Sequence, residues 1–459
     1  MTFNLFRPIL AILLLFIPLY PKFPLSFAQG AQVAFRLDDI IIALVFLIYL
    51  VNQIKNRFPI LKLKVTWVIL AYLIAITLSS LNAFLIYQTT PTHILLLHLL
   101  RRFQYISLFF VTLEAIKTRR DFKFIYLFTC LAFIGVFAYG IGQKYFNLPI
   151  ISTMNFEFAK GQLLQMNFWS RISSTFAGHY DLAAYLSVIS VIFFGVFLSQ
   201  KNKLYRFFSF ILWLMAFYLL TLTAARISTF AYWGGVTLLC LLLKRFFWII
   251  PTSLLVVLSI VSSKDLNQRL LATIPSIKPY FSQNIAKPTP ATIPTITPVL
   301  TPIPTSKIQD LTSKISPIPT VFRHKPEEFP PVDADAGVAR SGEIRFNVEW
   351  PRAITAFNKN KLLGTAPGSI TLATDNDYLR SLGETGLLGF VTFCLIFVYF
   401  FINLIKKSTA LNLVFATAIL IVLVNAIFID IFEASKTAYL FWMMMAVFYK
   451  SETLNDSKG

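Results

Sequence analysis

A helix crosses the hydrocarbon core of a bilayer when about 20 successive residues are mostly apolar. Twelve stretches of the 459-residue chain meet or approach that condition: 5–27, 37–53, 66–86, 92–115, 122–143, 180–199, 205–224, 227–243, 246–262, 386–405, 409–429 and 434–449. Glu433 and Lys436 crowd the start of the last one. Hydrophobic types make up 56% of the residues and charged types only 14%, more apolar surface than the interior of a water-soluble globule can hide. The expected fold class is an all-α polytopic membrane protein of about twelve transmembrane helices. The first stretch has a second reading. Arg7, the apolar run Ile9–Tyr20 and then Ser26-Phe27-Ala28 also suit a signal peptide, although no clean A-x-A cleavage pattern is present after it.

The formal net charge of +20 would suggest nucleic acid in a soluble protein. Here the basic residues sit in short loops between apolar runs, so the charge reads as topology and nucleic-acid binding is not expected. Lys55, Arg57, Lys62 and Lys64 follow the second run, and Lys117, Arg119, Arg120 and Lys123 follow the fourth. Lys201, Lys203 and Arg206 follow the sixth, Lys244 and Arg245 the eighth, Lys406 and Lys407 the tenth. Every second loop is basic, whereas Tyr87–Pro91 carries no charge. That alternation predicts both termini in the cytoplasm and the other loops outside.

The chain divides into a membrane bundle over 1–262 (spans one to nine), a large extracytoplasmic loop over 263–385, and a second bundle with a short tail over 386–459. Within the loop, 286–320 is rich in Pro and Thr, a composition that favours extended polyproline II and builds no core, so it reads as a flexible insertion. Residues 340–385 differ, with Trp350, a helical pattern around Ile344–Phe357 and turn signals at Gly364 and Gly368; they are expected to fold back onto the membrane face. Cys130, Cys240 and Cys394 lie in apolar runs without CxxC spacing, and His93, His98, His179 and His324 form no HxxxH pair, so neither a disulfide framework, a metal site nor a cofactor is expected.

Four groups of residues stand out against this apolar background. Arg101 and Arg102 fall inside the fourth run, where a charge facing lipid is costly; one of them faces a polar cavity, or both snorkel to the outer interface. Arg171 opens Arg171-Ile-Ser-Ser-Thr-Phe-Ala-Gly-His179 just ahead of the sixth run. Arg226 stands between the seventh and eighth runs beside Ser228, on the side where the positive-inside rule expects few cations. Finally Arg345, Glu349, Trp350 and Arg352 precede Asp375-Asn376-Asp377-Tyr378-Leu-Arg380 and Glu384-Thr-Gly386 near the tenth run.

The order of these motifs resembles the O-antigen ligase-related family of bacterial envelope proteins, which also holds Wzy-type polysaccharide polymerases. The resemblance runs from Arg36-Leu-Asp38-Asp39 through R-x-S-x-T-F-x-G-H (Arg171 to His179), T-x-A-A-R-I-S (ending at Ser228), R-x-x-x-x-W (Arg345 to Trp350) and Leu363-Gly364 to D-N-D-Y-L…E-T-G-L-L-G. It covers about 36–405, apart from the Pro/Thr insertion. It implies metal-free transfer of an oligo- or polysaccharide from a polyprenyl-pyrophosphate carrier to an acceptor hydroxyl on a glycan or lipid, at the outer face of a bacterial cytoplasmic membrane. In that reading Arg171, Arg226 and Arg345, with Arg101 and Arg102 in reserve, bind the pyrophosphate. Asp375, or His179 in second place, takes the acceptor proton, and Asn376 and Tyr378 orient substrate. Family ligases carry histidine where Asp375 stands, so ligase and polymerase both remain open, as do the sugar and the oligomeric state. The competing class is a secondary transporter or lipid-linked glycan exporter. Against it, the halves of the chain show no internal similarity and the large loop divides the spans nine to three.

Overall fold

The structure, a computed structural model, describes residues 4–21, 24–27, 34–88, 90–151, 163–164, 171–263, 267, 344–370, 373–406 and 409–456. The Pro/Thr stretch 286–320 and most of the large loop lie outside these. The described chain is predominantly helical. In order come α1 (Phe6–Leu19), α2 (Leu37–Lys55), α3 (Lys64–Asn82), α4 (Thr92–Ala115), α5 (Arg119–Phe146), α6 (His179–Ser199) and α7 (Lys203–Leu222). Then come α8 (Arg226–Leu242), α9 (Ile249–Ser262), α10 (Trp350–Lys359), α11 (Asp377–Lys406), α12 (Ala410–Asn425) and α13 (Ser435–Asp456). Two short antiparallel ribbons pair β1 (Pro24–Phe27) with β2 (Ala34–Arg36) and β3 (Ile150–Ile151) with β4 (Leu163–Leu164).

Seven helices are long and apolar enough to cross a membrane by length and composition: α2, α3 with its continuation to Ile86, α4, α5, α6, α7 and α11. All twelve expected stretches contain helix, yet five fall short of that standard. The apolar segments Phe6–Leu19, Arg226–Leu242, Phe246–Ser262 and Ala410–Asn425 are 17 residues or fewer, and α13 begins among Ser435, Lys436 and Thr437 and ends among Lys450, Glu452 and Asp456. The first stretch shows why. Pro18, Pro21 and Pro24 succeed one another at three-residue intervals. Proline lacks the N–H that a helix interior needs and biases the residue before it toward extended backbone. The helix therefore stops at Leu19, and Pro24–Phe27 pairs as β1 rather than continuing a span to residue 27.

Packing obeys the rules of helices among lipid, where small residues let backbones approach. Gly195 of α6 faces Val414 of α12, and Gly235 of α8 faces Ile421 and Thr417 of α12, each so closely that a Cβ would overlap the neighbour. Aromatic rings fill the interior: Phe109 meets Phe400 at 6.4 Å and Trp442 at 6.3 Å, and Phe194 meets Trp213 at 4.9 Å.

The two ends of the bundle differ in chemistry. At one end the starts of α1 and α5 meet the ends of α2 and α4: Asn4 donates to the Ala115 carbonyl at 2.9 Å, Arg7 pairs with Asp121 at 3.3 Å, and Gln53 reaches Glu114 at 3.5 Å. The basic loops 55–64, 117–123 and 200–206 belong to this end. At the other, Arg101 of α4 pairs with Asp39 of α2 at 3.5 Å, and Arg36 donates to Ser435 of α13 at 3.4 Å. Most of the polar groups singled out in the sequence gather there.

One helix is broken by a glycine in its sequence. Within α11, Gly386 has φ 63° and ψ −166°. The gap admits the turn-rich segment after α10, which pairs across it: the Thr365 N–H to the Gly383 carbonyl (3.0 Å), the Ala366 N–H to that of Glu384 (2.8 Å), and in return the Leu387 N–H to the Lys361 carbonyl (2.8 Å). Gly364, at φ 69°, and Gly386 each lie where a Cβ would overlap the facing backbone. We expect Gly386→Ala to lower the thermal midpoint in detergent, by the equivalent of about 1–2 kcal/mol for the left-handed backbone alone. Gly234→Ala, on α8 with nothing within 4 Å of the new Cβ, should leave it unchanged or raise it. Equal midpoints for the two variants would remove this account of the break.

Candidate functional site

Three loops at the end of the bundle where Arg101 meets Asp39 carry Arg171, Arg226 and Asp375, and each is held in a backbone shape that its residues do not prefer. The loop 171–178 hangs on Gln143, a buried residue of α5. Its Oε1 accepts from the N–H groups of Ser173 (3.2 Å) and Ser174 (2.7 Å), and its Nε2 donates to the Ser174 and Pro149 carbonyls, both at 3.1 Å. Ser174 is thereby fixed at φ 49°. From below, the buried Lys436 ammonium donates to the Pro18 carbonyl at 2.9 Å and the Thr175 carbonyl at 2.7 Å, 4.8 Å from the Phe176 ring centre. The turn between α7 and α8 passes through Ala224 at φ 49°, two residues before Arg226. Ser228 donates to Asn425 of α12 at 2.6 Å, which anchors the start of α8.

The third loop presents Asp375. Asp430 grips its flanks, accepting from the Thr374 N–H at 2.8 Å and the Asn376 N–H at 3.2 Å. Asp375 between them adopts φ 49°. Left-handed residues other than glycine are uncommon; here Ser174, Ala224 and Asp375 stand within or two residues from three of the four predicted groups.

The side chains then converge. Arg345, on the π-turn Arg345–Glu349 that leads into α10, donates to Asp375 Oδ2 from Nε (3.0 Å) and from a terminal nitrogen (2.7 Å). Arg171 donates to His179 Nε2 at 2.6 Å, since a guanidinium has no acceptor, and its carbon lies 5.7 Å from the Tyr180 ring centre. Tyr180 hydrogen-bonds to both Arg171 and Arg345, and Arg226 lies within charge–charge range of Tyr180, Arg345 and Arg171. Three guanidinium groups from three sequence-distant segments thus act on one phenol, Arg171 and Arg345 by hydrogen bonds and Arg226 by charge at longer range. Two carboxylates, Asp375 and Glu349, lie beside Arg345. Burial raises the Asp375 carboxyl above its ordinary value, with Arg345 opposing it. Burial, reinforced by Asp375, pushes Glu349 up to about 7. Protonation of Glu349 near neutral pH removes one negative charge from beside Arg345, which favours an anion there.

Of the expected site residues, Arg171, His179, Arg226, Arg345 and Asp375 come together. Asn376 and Tyr378 adjoin them in sequence, but their polar atoms serve the fold: Asn376 Oδ1 accepts from the Leu379 N–H at 2.9 Å, capping α11, and the Tyr378 hydroxyl donates to the Leu423 carbonyl at 2.7 Å. Arg101 and Arg102 neither snorkel nor enter the arginine cluster. Arg101 pairs with Asp39, and Arg102 with Glu433 and, at 3.7 Å, with Glu384. Sequence reasoning passed over Tyr180, Gln143 and Lys436 as site elements; a glutamine and a lysine flanked by apolar runs were the available signal. It also left unread three buried polar atoms with no hydrogen-bond partner, Glu349 Oε2, Trp350 Nε1 and one Arg352 terminal nitrogen, next to Arg345 in the chain. Among the described residues no three His, Cys, Asp or Glu side chains are grouped to hold a metal ion.

Comparison of the chain with protein-family models and with curated proteins returned no match. The resemblance to the O-antigen ligase-related family therefore rests on the motifs alone.

The Glu349 shift has a signed consequence. Its folded value, about 7, lies above the ordinary 4.5, so the folded state holds the proton more tightly. Its contribution to stability is full below 4.5 and is lost as pH rises through about 7. Subtracting the thermal midpoints of Glu349→Gln from those of the unaltered protein across this window should give a difference that falls with rising pH. A flat difference would show that Glu349 is not held in a proton-retaining setting.

Proposed function

We propose that the protein is a membrane glycan transferase that moves an oligo- or polysaccharide from a polyprenyl-pyrophosphate carrier to an acceptor hydroxyl. The observation that carries this reading is the meeting of Arg171, Arg226 and Arg345 near Tyr180 and Asp375. Pyrophosphate is a polyanion whose charge grows as the glycosyl bond breaks. Guanidinium forks already in place stabilise that charge without reorganising at the moment of reaction. Both Arg345 hydrogen bonds fall on Asp375 Oδ2, which leaves Oδ1 to take the acceptor proton. His179 Nε2 accepts from Arg171, which makes the ring a positioning group for that arginine in the resting site and the second choice of base. Direct displacement at the anomeric carbon transfers the glycan with inversion, and the pyrophosphate leaves on its lipid.

In this reading all twelve apolar helices cross the cytoplasmic membrane of a bacterium, both termini lie in the cytoplasm, and the site faces outward. Support comes from the separation of charge: the loops at 55–64, 117–123 and 200–206 lie at the opposite end of the bundle from the arginine cluster, as the positive-inside rule requires. The transporter alternative draws less support, since the cavity inside the bundle is lined mainly by apolar side chains such as Leu10, Ile189 and Met444, where a carrier of polar solutes needs polar groups.

Two measurements test the proposal. Arg171→Lys and Arg226→Lys keep the charge but lose the fork, so each should reduce glycan transfer in membranes by a factor of order 10² or more, roughly 2.7–4 kcal/mol, at unchanged protein level. Near-normal transfer in both would reduce the two arginines to interfacial anchors. For topology, reporter fusions after Arg206 should read as cytoplasmic and those after Glu328 as external. A cytoplasmic signal at Glu328 would sink the orientation and the mechanism together.

A further inference from the structure

A cavity of about 300 Å³ runs through the bundle between α1, α4, α5, α6, α12 and α13. At one extreme it is floored by the buried residues Ile431 and Thr437 and by Pro18, directly beneath the Lys436 that holds the 171–178 loop. At the other extreme it reaches Lys123, Gln200, Asn202 and Tyr205. Between them the wall is aliphatic, aromatic and methionine-rich. The cavity is thus a blind shaft, closed below the arginine cluster and open at the basic end. Along α6 its wall extends from Ala184 to Gln200, sixteen positions that span roughly 24 Å. That is most of a hydrocarbon core of about 30 Å.

The rim carries one sign of charge. Lys123 lines the opening itself, and Lys201 and Lys203 flank Asn202 on the adjoining connection; both flanking lysines are exposed. No ion pair joins any of the three to a carboxylate among the described residues. A donor pyrophosphate bound by the arginine cluster could not use this shaft, because its head would lie at the closed end.

We propose that the shaft is a lipid site: it takes one acyl chain of an anionic glycerophospholipid from the leaflet at the basic end, with the lipid phosphate held by Lys123 and its lysine neighbours. An acyl chain fills apolar space that would otherwise stay empty, and a polybasic rim selects an anionic head over a zwitterionic one. The chain packs against Ala184 and Met444 and supports the floor from below. This assignment stands whether or not the protein transfers glycans.

The test uses the full-length protein in nanodiscs containing equal phosphatidylglycerol and phosphatidylcholine, released for native mass spectrometry. The unaltered protein should retain one phosphatidylglycerol in preference to phosphatidylcholine by about fivefold for each lysine engaged. Lys123→Glu, a change at the rim that leaves the interior intact, should bring the ratio down by at least that factor. Ala184→Phe, which fills the shaft, should abolish retention of either lipid; Ala132→Leu, on the facing helix α5, repeats the test with a smaller intrusion, and both are compared at matched elution as monodisperse protein. Equal retention of the two lipids by the unaltered protein, or undiminished retention in a folded shaft-filling variant, would overturn the proposal. A retained mass matching a free fatty acid or a polyprenyl lipid would equally overturn it.

Discussion

A guanidinium enclosed in an apolar bundle must be met by carboxylates, and Arg380 is where this fold meets that demand. Its side chain is 8% exposed, pairs with Asp430 at 2.8 Å, Glu384 at 3.3 Å and Glu433 at 3.5 Å, and donates to the Ile370 carbonyl at 3.0 Å. Glu384 and Glu433 are shared with Arg102 of α4. The network therefore fastens α4, the first part of α11, the 365–370 segment and the connection between α12 and α13 to one another. Removing one partner from a buried pair strands the other charge, at a cost of about 3–5 kcal/mol. Charges that look out of place in apolar helices are thus the fasteners of this end of the bundle.

The same network aims the site. Asp430 uses its two oxygens on the N–H groups of Thr374 and Asn376 while it holds Arg380, so the conformation of Asp375 is set by a residue from a different part of the chain. Arg345 can then close on Asp375 from the far side of the large loop. Lys436 plays the matching part under the 171–178 loop, replacing a carboxylate partner with two carbonyl oxygens and an aromatic face. The interior groups are matched cation to acceptor. Above them Arg345 meets Asp375 and Arg171 meets His179, so the arginine cluster stands over a foundation fixed by ion pairs.

Gly364 and Gly386 show a different use of sequence. Neither contributes a side chain, and both sit at positive φ with facing backbone where a Cβ would be. Their role is to let two chain segments pair across a broken helix, so that the described end of the large loop is fixed to α11 by backbone hydrogen bonds and Arg345 has a defined place from which to reach Asp375.

The apolar runs, the basic alternation and the helical stretch around Trp350 were legible in the chain because hydropathy and charge placement are local properties. So was the standing of Arg171, Arg226, Arg345, His179 and Asp375 as candidates, since cations and carboxylates beside apolar helices stand out one at a time. The twelve-span count was less secure. Proline spacing ends the first run at Leu19, and four other runs are too short or too polar to qualify, because hydropathy averaged over a window does not register where a helix stops. Read alone, the chain dictates a predominantly helical membrane protein and the segments that bear its charged groups, whereas the structure shows seven helices that meet the length and apolarity of a span. Packing in three dimensions settles that Asn376, Tyr378, Arg101 and Arg102 turn into the fold while Tyr180 joins the arginines. Which partner a polar atom finds depends on residues far away in sequence, brought within hydrogen-bonding reach by packing, and no local pattern carries that information.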